Sequence, residues 1–128
     1  MTNPDLAQFD KQSFLSLETY RKNGQGVPTP VWFAAGDGVF YITTVKSSGK
    51  VKRIRNNAQV SVAPCNASGG LKGEWVAARA RLVHDPQEAK TAKNLLNRKY
   101  GLQKRIFDLM SVFNKTEHVF LAVEFEDR

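Results

Sequence analysis

Polar and apolar residues alternate with a period near two over much of this chain. In "SFLSLETYR" (13–21) that alternation marks a half-buried strand, and "KNGQG" (22–26) after it has the Asn-Gly chemistry of a tight turn. "VPTPVWFAA" (27–35), the turn "GDG" (36–38) and "VFYITT" (39–44) complete a three-stranded antiparallel meander. Pro28 and Pro30 each remove a backbone donor, which places their strand at an edge or gives it a bulge on one side. Three further strands follow: "AQVSVAPCN" (58–66), bulged or ending near Pro64, then "EWVAARARLVHD" (74–85) and "EHVFLAVEFED" (117–127).

A period nearer 3.6 appears in three places. Residues 4–12 form a short amphipathic helix, with Pro4 in its first turn and Leu6 and Phe9 three apart. Residues 48–56 form another, capped by Ser48 and buried along Val51 and Ile54. A third starts at Pro86 and runs through "PQEAKTAKNLLNRKYG"; Gly101 ends or kinks it, and "LQKRIFDLMSVF" carries on. Six strands and three or four short helices, in one domain over 1–128, favour a mainly β fold, a small antiparallel barrel with helical additions.

Composition narrows the class. The 128 residues are 41% hydrophobic and 24% charged, as in soluble globular chains, and no apolar run reaches transmembrane length. "MTNPDLAQFDKQ" has no basic and apolar leader pattern, and the single Cys65 fits a reducing compartment, so a cytoplasmic protein is expected, with no membrane partner. Nineteen Lys and Arg against twelve Asp and Glu leave a net charge of +7, which favours anionic partners.

That charge is gathered unevenly. "YITTVKSSGKVKRIRNN" (41–57) turns from a strand through Ser-Ser-Gly into five cations between Lys46 and Arg55. If Ser48 caps a helix, the free N–H groups of Gly49, Lys50 and Val51 point out of its positive end, a ready phosphate site. Lys50 and Arg53, three apart, can then reach one anion, and Gly49 lets it approach the backbone. A solvated amphipathic helix fits the same residues. Along "TPVWFAA" the prolines leave backbone groups unpaired, so a flat ligand could lie there with Trp32 as an aromatic wall; on their own these residues favour an ordinary barrel edge with a core tryptophan. Trp75, after a glycine-rich loop, is either packing or a residue that reaches a partner subunit.

The catalytic inventory is thin. His84 and His118 have no acids or cysteines at metal-ligand spacing, Cys65 lies in an apolar strand, and neither a nucleophile elbow nor a Walker loop is present. An enzyme built on this chain would leave the chemistry to a cofactor.

"TPVWFAAGDGVFYITTVKSSGKVKRIRNNAQVSVAPC", with "GEWVAARARLV" and "RKYG", resembles the pyridoxamine 5′-phosphate oxidase-like flavin and deazaflavin oxidoreductases, nearest their small single-domain branch associated with coenzyme F420. The likeness runs over residues 13–125, and its most specific part is T-P-V-W-F, then D-G, then T-x-x-x-S-G-K-x-x-R. It implies a six-stranded split barrel that forms a homodimer with two cofactor sites at the interface. It also implies that Ser48, Lys50 and Arg53, with Lys52 nearby, hold the cofactor phosphate. The ring would lie along Thr29, Pro30, Val31 and Trp32, beside Thr43 and Thr44, with Trp75 reaching in from the other subunit. FMN and F420 both satisfy this pattern, and the acidic tail of F420 would use the surplus cations. The implied activity is hydride transfer to or from a small-molecule substrate. A carrier of flavin or haem with the same fold is the alternative, and a nucleic-acid-binding barrel ranks below both because the cations cluster beside one turn.

Overall fold

The computed structural model describes residues 4–100 and 117–125. Its six strands are β1 (Phe14–Tyr20), β2 (Gly26–Ala35), β3 (Val39–Val45), β4 (Gln59–Cys65), β5 (Val76–Leu82) and β6 (His118–Glu124). They close into an antiparallel barrel in the order β1-β2-β3-β6-β5-β4. Period-two alternation sends Leu15, Leu17, Phe33, Phe40, Ile42, Val60, Val62, Leu121 and Val123 into the barrel, where all are buried. Helix α1 (Gly49–Asn56) follows β3 and buries Val51 and Ile54, as the sequence pattern requires.

The N-terminal segment differs from expectation. It is a 3₁₀ helix over Pro4–Phe9, not an amphipathic helix to residue 12. Its chain turns through Asp10 N–H to Ala7 C=O (3.1 Å), and Lys11 then takes φ 63, a left-handed conformation that ends any helix. Phe9 still does the packing work, meeting the edges of Phe33 and Phe40 at centroid distances of 6.0 and 5.1 Å.

Helix α2 (Pro86–Tyr100) lies on the outer face, with Ala92, Leu96 and Tyr100 buried against Ala34, Tyr41 and Ala122. An ion network fastens it. Arg81 of β5 donates to both Glu88 oxygens at 2.7 and 2.6 Å and, through Nε, to Glu124 of β6 at 2.8 Å. The Tyr41 hydroxyl donates to Glu88 at 2.9 Å. The continuation through "LQKRIFDLMSVF", the role of Gly101 and the end of the last strand lie outside the described residues. Among the described residues no helix is long and apolar enough to cross a membrane.

One ladder is incomplete. β1 and β2 pair from Tyr20↔Gly26 to Phe14↔Trp32, and β3 pairs with β6 along its whole length. Between β2 and β3, however, pairing covers only Phe33↔Ile42 to Ala35↔Phe40. From Trp32 back to Gly26, β2 therefore parts from β3 and the barrel is split there. The edge expected from Pro28 and Pro30 is real but local, since the strand is interior at one end and an edge at the other.

Candidate functional site

At the level where the split begins, Tyr100 anchors β2 to the chain entering β1. Its hydroxyl accepts from Phe33 N–H at 2.9 Å and lies 2.7 Å from both the Ser13 and the Phe33 carbonyls, donating to one of them at a time. These contacts sit where β1 begins, so the Phe33 main-chain groups face β1. Strand alternation then turns the main-chain groups of Pro28 and Pro30 to the opposite edge, towards the gap. Lacking N–H, each proline offers only a carbonyl there.

At the mouth of the same gap stands the N-terminus of α1. Ser48 has the extended cap geometry (φ −67, ψ 156), yet its hydroxyl makes no capping hydrogen bond. It lies instead 3.5 Å from the hydroxyl of Thr44. The first turn carries no acidic residue, so its N–H groups and the helix dipole have no negative partner on the helix.

Two cations crowd this end. Burial pushes the Lys50 ammonium below its ordinary pKa, and the Arg53 charge pushes it further the same way. Arg53 Nε donates to the fully buried Thr19 hydroxyl at 2.6 Å, which fixes the guanidinium. That guanidinium lies over Gly49, where a Cβ would come within 2.8 Å of it. The glycine thus also makes room for Arg53, a neighbour that the sequence does not reveal. Among the described residues neither Lys50 nor Arg53 pairs with a carboxylate. Two like charges held together, one half-buried, beside an uncapped helix end are arranged to receive an anion.

The other expected residues fall around this centre unevenly. By register Thr29 and Val31 face inwards opposite Leu17 and Leu15, and Val31 packs on the core. Trp32 turns outwards and stacks on Tyr100 at 4.8 Å and 19°, so in one chain it is a wall against α2. Thr43 lies within 3.5 Å of the Val119 carbonyl, while Thr44 is buried beside Ser48. Lys52 is exposed and shares a recess of about 350 Å³ with Tyr20, Arg21, Lys22, Arg53 and Asn56. Trp75 stands apart, 39% exposed, before β5; Gln8 fixes its neighbour by pairing with the Glu74 N–H and C=O at 2.8 and 2.9 Å.

Thr19, Arg21 and Lys22 were missed, because "ETYRK" reads as strand end and turn and nothing in it points to α1. His84 and His118 belong to no metal-binding group among the described residues, and burial raises the pKa of the Cys65 thiol, which packs.

Comparison with known proteins agrees with this architecture. The family described as pyridoxamine 5′-phosphate oxidase matches residues 3–126. Among curated proteins no sequence matches. A FAD-binding protein from Mesorhizobium loti superposes with a TM-score of 0.69 at 20% identity, over 94% of this chain and 84% of that one. A protein described as an F420 reductase gives 0.61 at 18% identity over 99% and 97% of the two chains. HutZ, a heme storage protein from Vibrio cholerae, gives 0.65 at 13% identity over 98% and 91%. At these identities the superpositions establish a shared fold, which carries both redox and haem-associated proteins. With the family matched over nearly the whole chain, this protein belongs to the pyridoxamine 5′-phosphate oxidase family.

Proposed function

We propose that this chain is an oxidoreductase that holds FMN or coenzyme F420 through its phosphate at Ser48, Lys50 and Arg53. The single observation that carries the reading is the pair Lys50 and Arg53, which share the uncapped end of α1 with no carboxylate paired to either among the described residues. A phosphate there would accept from the first-turn N–H groups and the Ser48 hydroxyl while relieving the repulsion between the two cations. The ring would follow the β2 edge from Thr29 to Trp32, with Thr43 and Thr44 across the split. When bound, either cofactor supplies hydride transfer to or from a small-molecule substrate, so the chain needs only to bind, orient and exclude water. Arg21, Lys22 and Lys52 surround the adjoining recess and suit a further acidic extension such as the F420 tail.

The site is half of a dimeric one in this reading. Leu71 and Trp75 are the large hydrophobic residues most exposed among the described ones, at 50% and 39%. A second copy covering them would bring its Trp75 to the ring. The test is titration of the full chain with FMN and with F420, followed by addition of an artificial electron acceptor to the reduced complex. Saturable binding with steady acceptor reduction supports the oxidoreductase. Binding without turnover makes the protein a carrier, and absence of binding by either cofactor overturns the reading. Release of cofactor on dilution to monomer supports the interfacial arrangement, and a fully binding monomer refutes it.

A further inference from the structure

A second site lies at the opposite end of β3 from α1. There the 3₁₀ helix, the β2–β3 turn and the last turn of α2 surround a cavity of about 560 Å³, within the range of small-molecule sites. Its apolar lining comes from Leu6, Phe9, Phe33, Phe40 and Leu95. The charged groups that line it are Lys11 and Asp10 after the 3₁₀ helix and Arg98 and Lys99 on α2, three cations against one acid. Lys99 reaches inwards: its ammonium lies 3.5 Å from the centroid of the Phe33 ring and 5.5 Å from that of Tyr100. Among the described residues no carboxylate pairs with it. An aromatic face stabilises such a cation only partly, so an anionic group would complete it.

We infer that this cavity binds a small monocarboxylate with an aliphatic or aromatic body, its carboxylate on Lys99 and its apolar part against Phe9, Phe33 and Leu95. The site is independent of the cofactor reading, since none of its residues belongs to the cluster around Ser48, Lys50 and Arg53. Burial lowers the Lys99 pKa to about 8, so the ammonium is charged below that value and neutral above it. Carboxylate affinity should accordingly be greatest near neutral pH and fall as pH rises through 8.

Octanoate is a suitable probe, with octanol as its uncharged counterpart, followed on the full chain by amide chemical shifts and calorimetry. The expected result is saturable octanoate binding with shifts centred on Phe33, Ala35, Gly36 and Leu95, and octanol weaker by at least about tenfold. Lys99→Met keeps the aliphatic stem and should weaken octanoate by a similar factor. Lys99→Arg keeps a charge at every accessible pH, so it should retain binding and abolish the decline above pH 8. Shifts centred on Lys50 and Arg53, equal binding of octanol, or affinity unchanged in Lys99→Met would each overturn the inference.

Discussion

Replacing Lys50 with Met should move stability and cofactor affinity in opposite directions. In the ligand-free chain the Lys50 ammonium is partly desolvated and stands three residues from Arg53 on one helix, with both effects lowering its pKa. A like-charge pair at that spacing costs about 0.2–0.5 kcal/mol, and methionine matches lysine in helix propensity and in the length of its stem. Lys50→Met should therefore leave the ligand-free protein unchanged or more stable by a few tenths of a kcal/mol, a rise in Tm of about 1–2 °C. Binding should suffer, because a hydrogen bond to a charged group contributes about 1.5–3 kcal/mol, equivalent to roughly 10- to 150-fold in Kd. Arg53→Met gives the contrast: it removes the donor that satisfies the buried Thr19 hydroxyl, so it should lose about 1–2 kcal/mol of stability as well as affinity. Urea denaturation without ligand and fluorescence titration with FMN and F420 read the two quantities separately. A Lys50→Met protein that is less stable but binds both cofactors as tightly as the parent would show that the lysine serves the fold, and the phosphate assignment would fail.

Two further perturbations address the frame around the site. The Arg81 pairing holds the Glu88 carboxyl down to about 2 from an ordinary 4.5, with the Tyr41 hydroxyl acting in the same direction. A depressed carboxylate stabilises the fold above its unfolded pKa and loses that contribution as pH falls from about 4.5 towards 2. Glu88→Gln should cost about 1–2 kcal/mol at pH 7, after allowance for the partly exposed Arg81, and the gap to the parent should narrow at pH 3; a gap independent of pH would refute the linkage. Tyr100→Phe keeps the ring on Trp32 but leaves the Phe33 N–H without its acceptor, so a loss of about 1–3 kcal/mol in urea denaturation is expected, and a neutral result would mean water replaces the hydroxyl.

The strands were legible because their inward positions recur with a period of two, most plainly in β5, although β4 and β6 also bury runs of consecutive residues. Slipping β1 by one residue would move Leu15 and Leu17 out of the core and Ser16 in. The 3₁₀ helix was not, because Leu6 and Phe9 are three apart in either helix and the spacing does not distinguish them. At the site, Ser48, Lys50 and Arg53 could be read from one contiguous motif on one helix. Thr19, Arg21 and Lys22 could not, since their part depends on the β1–β2 hairpin folding back beside α1, a tertiary fact with no local signature. The Arg53 guanidinium over Gly49 could not be read either, because its position is set by Thr19 from another element.

The two prolines join fold and site in a way that neither shows alone. A strand paired on both sides could not carry Pro28 and Pro30, whose missing donors would leave carbonyls of a neighbour unpaired. Here the register turns both residues away from β1, so the β1–β2 ladder runs on undisturbed while pairing with β3 stops at Phe33. On its other edge Tyr100 continues the β1–β2 ladder beyond Phe14↔Trp32, filling the place of a strand partner between Ser13 and Phe33. The split is therefore encoded by residues that cannot pair with β3, while a hydroxyl anchors β2 to the start of β1 beside the point where that pairing ends. An opening fixed in this manner exists before any ligand arrives, so ordering it costs little on binding. Under the proposed function, no acid, base or nucleophile of the chain would be needed at this place. A backbone edge of fixed shape with a cationic helix end at its mouth is a device for orientation, and under the proposed function orientation is all that the protein contributes.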